Sequence, residues 1–373
     1  MSEYQYYEFL ALDRPLNATE KAYVESLSSR VELTSTQAKF VYNYGDFRGN
    51  PQELLEKCFD VMLYMASWGS RQLIFRFPKS LINADVFGPY CLEDRITVST
   101  TKNSVILDIN IHDEEMSHWI DSGEGYLSDM VSLRNDLLQG DLRSLYLAWL
   151  KAAPIYFDPE SEDYIEPDVP ANLDDLPNSL LVLIDFLEID QDLIAAAASA
   201  SESQEQKEES LEDLIPNLSE REKNDFLVRL LKGESHLGVQ LNHRLRELSG
   251  RKEVHVNNDT KRRTLSELLK LAQGETTQRQ KKEQEVTRLA KVQKLESMAK
   301  RKDKIWDLVF AAIALKQSKP YDQAVAHLVD LRDLAEYQGK LAEFQVSIKQ
   351  IQKDYSNRPG LISRLQKVGL LEK

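Results

Sequence analysis

The stretch Gln278–Lys304 reads QRQKKEQEVTRLAKVQKLESMAKRKDK and determines the character of the last third of the chain. It contains neither Gly nor Pro, and residues that favour helix dominate it. Its apolar residues recur every three positions from Val286 to Met298, so they drift around a helix of 3.6 residues per turn and form no sustained seam. The sequence therefore predicts a long, charged, largely solvated helix, here termed the arm.

Short helices packed in pairs are predicted after the arm. Ile305–Leu315 is apolar on nearly every side, which predicts a helix enclosed by its neighbours. Tyr321–Ala335 and Leu341–Tyr355 each carry a one-sided apolar pattern, and Gly339 separates them. This arrangement is typical of tetratricopeptide-like helical hairpins, although no regular repeat of that period is present.

Strand and helix signals alternate in the first part of the chain. Tyr4–Leu12 and Lys39–Tyr44 are predicted strands, Leu73–Phe77 alternates as a strand does, and the segments around Ile96–Ile111 pair as a hairpin. These signals predict a small antiparallel or mixed sheet covered by helices. The predicted fold class is therefore an α+β N-terminal domain followed by an all-α C-terminal half with a long charged helix.

One helix of this first part has an especially clear start. Asn50 is a capping residue, Pro51 occupies the first turn, and Glu53 stands three residues after the cap. The apolar spacing from Leu55 onward predicts that this helix continues through Ala66.

Composition predicts five segments along the chain. Residues 153–177 hold five prolines and eight acidic residues, which favours an extended, solvated connector. Residues 199–210 form a Ser/Glu/Gln tract that is predicted to be mobile. The predicted segments are an α+β domain at 1–152, the connector at 153–177, a helical segment at 178–250, a basic loop and the arm at 251–304, and a helical bundle at 305–373.

Charge is divided unevenly along the chain. The residues before Arg251 carry a net charge of −24, and those from Arg251 onward carry +10. This division indicates charge-complementary contacts with a partner or within the chain rather than one enclosed active site. The candidate interaction residues are the following cations of the arm: Arg279, Lys281, Lys282, Lys300, Arg301 and Lys302.

The same cations raise the alternative of nucleic-acid contact. They are spread around the helix, acidic residues such as Glu283 and Glu285 stand among them, and no aromatic residues interleave for base stacking. The preferred partner is therefore an acidic protein surface, with nucleic acid as the alternative.

Composition also bears on the compartment. Only two cysteines occur, Cys58 and Cys91, which fits a reducing cytoplasm and provides neither a disulfide framework nor a zinc knuckle. The N-terminal residues do not resemble a signal peptide, and the apolar runs are too short to span a bilayer. A cytoplasmic protein without membrane contact is predicted.

The sequence assigns no catalytic, cofactor-binding or metal-binding residue. The densest cluster of titratable residues runs from His112 through Glu114 and Glu115 to His118, but no known two-histidine ligand spacing fits it. An acidic loop after a hairpin explains the cluster more simply. An enzyme with a cryptic site there, such as a metal-assisted hydrolase, stays open as the alternative.

Several motifs together resemble a known group of proteins. They are Tyr6–Phe9 with Asp13–Leu16, Tyr42–Phe47, Trp68–Arg71, Pro216–Gly233 and Tyr321–Leu334. The whole chain resembles a family of uncharacterised bacterial proteins, and its C-terminal third is similar to the helical tail of proteins with a SWIM-type zinc finger. The finger itself is missing, because Cys58 and Cys91 cannot supply its ligands. The resemblance thus implies a bacterial cytoplasmic protein and no particular activity.

The function hypothesis from the sequence is a non-catalytic interaction or scaffold protein. Its C-terminal helices and the arm would dock a partner, and the N-terminal domain would offer a second contact surface.

Overall fold

The computed structural model describes residues 4–117, 120, 122–158, 163–202, 214–232, 237–248 and 262–371, with five side chains of the segment 237–248 left out. The chain forms two compact units, Met1–Thr276 and Thr277–Lys373. A seven-stranded antiparallel sheet lies in the first, and the described part of the second is helical. The predicted fold class, α+β followed by an all-α half, is confirmed.

The sheet of the N-terminal unit contains all the predicted strands and the hairpin near Ile96. Its strands are β1 (Gln5–Leu10), β2 (Glu32–Leu33), β3 (Gln37–Tyr42), β4 (Val61–Ala66), β5 (Ser70–Pro78), β6 (Ile96–Thr100) and β7 (Ser104–His112). Their order in the sheet is β2-β3-β1-β4-β5-β7-β6, and every neighbouring pair is antiparallel.

Two helices, α1 (Ala18–Leu27) and α2 (Pro51–Cys58), provide the core residues that pack with one face of the sheet. Asn17 caps α1 in a capping box, and the side chain of Asn50 caps α2 as predicted. Phe9 and Phe40 of the sheet are fully buried in the same core as Leu54 of α2. Burial of this aromatic layer supplies a large part of the driving force for folding.

Five helices contribute to the core on the other face. Phe75 and Leu107 of the sheet are buried in one core with Trp149 and Phe186 of the helices. These helices are α3 (Tyr126–Met130), α4 (Ser132–Leu138), α5 (Arg143–Tyr156), α6 (Asn178–Leu187) and α7 (Gln191–Ala198).

The helix predicted to run from Asn50 through Ala66 is wrong in its second half. Helix α2 ends at Cys58, and Val61–Ala66 is the strand β4. Both faces of β4 lie in apolar cores, so its sequence is continuously apolar and lacks the alternation that marks a strand covered on one side. The spacing of Leu55, Cys58 and Met62 therefore fits a helix although the chain changes direction.

The segment after α5 differs from a solvated connector. Helix α5 continues through Pro154 to Tyr156. In the described residues 163–177, Glu166 and Leu173 are buried, and Ile165 forms a β-bridge with Thr264. Extended backbone is present as predicted, but this segment packs onto the N-terminal core. From residue 203 onward, the predicted mobile tract 199–210 lies outside the described residues, as do residues 251–261 of the predicted basic loop.

Two further helices of the N-terminal unit, α8 (Glu220–Leu231) and α9 (Leu237–Leu248), pair with each other. Arg244 of α9 forms an ion pair of 2.8 Å with Glu222 of α8.

The helical part of the C-terminal unit begins within α10 (Leu265–Ala299). The last turns of α10 bury Leu295 and Met298 in the core of this unit. The remaining helices are α11 (Lys302–Ala314), α12 (Ser318–Tyr337), α13 (Leu341–Asp354) and α14 (Pro359–Lys367). Helix α12 packs against α11, α13 and α14. None of the described helices is long and apolar enough to cross a membrane.

The prediction that Ile305–Leu315 is enclosed on all sides is wrong. Val309 and Ile313 are buried in the C-terminal core, but Leu308 and Phe310 are 53% and 44% exposed. The apolar composition of α11 is therefore not explained by packing within this unit.

Candidate functional site

The arm occupies most of α10 and is the most solvent-exposed helix segment of the chain. Every side chain from Thr277 to Lys291 is exposed, including Val286 and Leu289. Helix-favouring residues and ion pairs within the helix support this segment: Arg279 pairs with Glu283 at 3.2 Å, and Arg288 pairs with Glu285 at 2.7 Å. Its side chains are available for contact along the whole segment.

The six candidate cations fall into two groups. Arg279, Lys281 and Lys282 lie on the exposed arm, and Arg279 is already engaged by Glu283. Lys300, Arg301 and Lys302 lie where α10 ends and α11 begins. The sequence predicts all six in one continuous arm. In the structure α10 ends at Ala299, before the second group, and more than four helical turns of α10 lie between Lys282 and Lys300.

The junction between α10 and α11 concentrates positive charge. Lys300, Arg301, Lys302 and Lys304 fall within five consecutive residues, and none of them has a carboxylate partner among the described residues. Earlier in α10, Lys294 does have one, because its Nζ lies 3.2 Å from Asp330 of α12.

An aromatic cluster lies directly after this junction. Trp306 stacks on Phe310 with ring centroids 5.9 Å apart, and it meets Phe344 of α13 at 6.2 Å. Phe344 is buried, Trp306 is partly buried and Phe310 is largely exposed. These three residues are termed the Trp306 patch. Sequence reasoning missed it, although aromatic residues four positions apart on a helix were a usable signal.

In its described part, the cluster around His112 shows no catalytic or metal-binding arrangement. His112 is exposed at the end of β7, and its Nδ1 lies 3.1 Å from the hydroxyl of Ser70 on the neighbouring strand. Glu114 and Glu115 form a short 3-10 turn, and no hydrogen bond joins their side chains to His112 in the described chain. His118 lies outside the described residues. Within the described ranges, no group of three or more His, Cys, Asp or Glu side chains is placed to hold a metal ion.

Neither thiol has the properties of an activated nucleophile. Burial raises the pKa of Cys58 to about 11, and Cys58, the last residue of α2, packs in the core. Burial also raises the pKa of Cys91, whose Sγ contacts the carbonyl of Phe87.

A buried charged network that the sequence did not reveal joins β1, β4 and β5 to α4. Arg134 donates two hydrogen bonds of 2.9 Å to Asp13, and Arg76 pairs with Asp60. Asp60 also accepts hydrogen bonds from the backbone amides of Leu12 and Asp13. Burial alone would raise the pKa of Asp60, but these amides and the two guanidinium groups outweigh it and lower that pKa. An arginine at position 134, between the apolar residues Leu133 and Leu137 of the same short helix, was the only signal in the sequence.

A second network fixes the start of α10. Arg263 donates two hydrogen bonds, of 2.7 and 2.8 Å, to the buried carboxylate of Glu166, and the hydroxyl of Tyr146 donates a third of 2.5 Å. Burial and the Glu166 charge raise the pKa of Tyr146, so its hydroxyl stays protonated. The network is satisfied by its own members, which is the usual arrangement of a structural site.

A third buried carboxylate has no cation beside it among the described residues. Asp108 of β7 accepts hydrogen bonds from the side-chain amides of Gln52 and Gln72. Burial raises the pKa of Asp108, and the two amides only partly offset this effect. Its oxygens are occupied by these amides and are not directed at a ligand.

Comparison of the chain with family models, with curated proteins and with solved structures finds no match. The resemblance to proteins with SWIM-type fingers therefore stays a prediction. The candidate site rests on the geometry alone, and the Trp306 patch with the adjacent cations is its best-defined part.

Proposed function

We propose that the protein is a non-catalytic interaction or scaffold protein of the bacterial cytoplasm, which docks a partner through its C-terminal helices and the arm. The observation that carries the proposal is the Trp306 patch, where Phe310 is 44% exposed on a helix that buries Val309 and Ile313 in the C-terminal core. Exposed apolar clusters of this kind mark contact surfaces, and aromatic residues often supply most of the binding energy.

The charge of the two units supports contact with charged partners. Met1–Thr276 carries a net charge of −22, and Thr277–Lys373 carries +8. A basic helical unit with exposed apolar residues is complementary to an acidic protein surface. The N-terminal unit, with the opposite sign, is the proposed second contact surface.

Nucleic-acid contact through the arm is the alternative with the next best support. The cations of the arm favour it, but Glu283 and Glu285 already pair with two of its arginines. No aromatic residue stands within the exposed segment from Thr277 to Lys291 to stack on bases.

A cryptic enzyme site is the remaining alternative. The pair of Ser70 and His112 is the closest approach to catalytic geometry in the described residues. A serine nucleophile also needs an oriented base and an oxyanion site, and among the described residues no carboxylate is hydrogen-bonded to the His112 ring.

The proposal is tested by co-purification from the cells that make the protein. The full chain serves as bait in three forms: unchanged, Phe310→Ser and Leu308→Ser. Leu308 is the matched control, because it is also exposed on the same helix (53%, against 44% for Phe310) but lies two residues away and so on nearly the opposite side. We expect one protein at stoichiometric yield with the unchanged chain and with Leu308→Ser, and a clear loss with Phe310→Ser. No stoichiometric protein, or equal recovery by all three forms, would contradict the proposal.

A further inference from the structure

We infer that the Trp306 patch and the cations before it form one docking site for an acidic amphipathic helix of a partner protein. This inference rests on the proposed function and adds the chemistry of the partner. Its apolar residues would seat on the patch, and its carboxylates would face Lys300, Arg301 and Lys302.

The apolar half of the site is built from two helices. Trp306 and Phe310 lie four residues apart on one side of α11, and Phe344 of α13 lies behind the Trp306 ring. The indole stacks on Phe310 and meets Phe344 at an interplanar angle of 40°, so the two rings fix its position and the patch offers a pre-positioned apolar surface at little entropic cost. Apolar side chains spaced three or four residues apart on a partner helix match such a surface.

The polar half of the site determines the charge of the partner. Lys302 lies four residues before Trp306 and therefore on the same side of α11. The four junction cations have no carboxylate partner among the described residues, whereas Lys294 pairs with Asp330 and Arg364 pairs with Asp322. Unpaired cations beside an exposed apolar cluster attract a segment with carboxylates at the edge of its apolar face.

The same stretch disfavours a nucleic acid as the occupant. Asp303 and Asp307 are exposed within it, and both would repel a backbone that carries one negative charge per about 1.7 Å of duplex. Trp306 already stacks on Phe310, so that face of the indole is not open to unpaired bases in the way that stacking platforms require. A carboxylate-bearing helix can pair with the cations one by one and avoid the two aspartates.

The test is selection from a displayed library of helical peptides against the immobilised full chain. The library keeps a fixed apolar stripe and randomises the polar positions among Glu, Lys, Gln and Ser. We expect the enriched peptides to be acidic. Measured by fluorescence anisotropy, their affinity should fall about tenfold or more with Phe310→Ser and by a similar factor with Lys300→Glu combined with Lys302→Glu. Leu308→Ser should change it less than about twofold.

The other possible results of the selection show whether the acidic partner alone, or the proposed function as well, is wrong. Enriched peptides that are neutral or basic, yet sensitive to Phe310→Ser, would overturn the acidic partner and leave the proposed function standing. No enrichment at all would count against both. Competition by single-stranded DNA for the same site, with a steep salt dependence, would replace the peptide by a nucleic acid. Lys300 is exposed and Lys302 is only partly buried, so the double charge reversal tests the site even if Phe310→Ser unfolds the C-terminal unit.

Discussion

Two buried aspartates of the same sheet have opposite pKa shifts because their neighbours differ. Asp60 is surrounded by backbone amides and two guanidinium groups, and its pKa is lowered. Asp108 meets only neutral amides, and burial raises its pKa. Nothing in the sequence distinguishes these two residues, because their partners come from strands and helices distant in the chain.

This difference predicts opposite effects of the same substitution. The stabilisation from Asp60 is present above its unfolded pKa of about 3.9 and is lost as the pH falls through its lowered folded value. Asp60→Asn should therefore reduce the free energy of unfolding at pH 7 by about 3 kcal/mol. Ionisation of Asp108 opposes folding as the pH rises above about 3.9, so Asp108→Asn should be neutral or stabilising at pH 7.

Urea denaturation at pH 7 and near pH 3 measures both effects. Each difference from the unchanged chain should shrink at the lower pH, where the unfolded carboxyl groups are protonated. Shifts of equal sign and size at pH 7 would show that the two environments do not differ as described.

Glycine is required at position 69 for a reason that its neighbours supply. Gly69 has φ +87°, and a Cβ there would lie 1.9 Å from the carbonyl oxygen of Asp113. Gly140 has a similar φ of +83° but faces open space. We expect Gly140→Ala to cost about 1–2 kcal/mol from backbone conformation alone, and Gly69→Ala to cost clearly more. Thermal unfolding of the two variants gives the comparison, and equal losses would remove the role of Asp113.

At the scale of elements, the sequence was most reliable where one short-range signal decides the outcome. The Asn50 cap and the alternation from Leu73 to Phe77 gave a helix start and a strand that the structure contains. The end of α2 was not predictable in this way. Phe59 and Val61 are buried in different cores, and only the assembled sheet shows that a strand begins there.

The start of α10 depends on the Glu166 network, which predicts an unequal effect for two adjacent arginines. The Arg263 side chain is 18% exposed and binds the buried Glu166, whereas Arg262 is 50% exposed and binds Asp168. Arg263→Met should cost about 3–5 kcal/mol because it leaves a buried carboxylate uncompensated. Arg262→Met should cost less than about 1 kcal/mol.

Amide hydrogen exchange locates this effect. The amide of Glu166 donates to the carbonyl of Arg263, and the amide of Leu265 donates to the carbonyl of Tyr164. Both amides should exchange faster in Arg263→Met and keep their protection in Arg262→Met. Unchanged protection in Arg263→Met would mean that the β-bridge holds without the ion pair.

At the scale of the whole molecule, the exposure of the arm predicts that substitutions of its cations affect partner binding but not the stability of the fold. Replacing Lys281, Lys282, Lys300, Arg301 and Lys302 by Gln should leave the helix content and the melting temperature nearly unchanged, since four of these side chains are exposed and Lys302 is only partly buried. Partner binding should weaken and lose most of its salt dependence, because charges in water are screened over about 8 Å at physiological ionic strength. Unfolding of the C-terminal unit would show that the cations contribute to packing.

The change from alternating to helical periodicity was enough to predict the fold class, but the strand order was not. Strand β1 pairs with both β3 and β4, and no local pattern in Gln5–Leu10 specifies these neighbours. The candidate site was likewise predictable only in part. Cations of the arm were evident from composition, whereas the Trp306 patch depends on the packing of α13 beside α11.

The two outer strands of the sheet have a consequence for unwanted association. Strand β2 has only two residues, and β6 has five, of which Thr97, Ser99 and Thr100 are exposed and polar. Short, polar outer strands are poor templates for the addition of a strand from another molecule, which is a common route to aggregation. Growth of the sheet into fibres is thus discouraged at both margins. The exposed apolar side chains of α11 can then serve recognition without exposing the chain to that hazard.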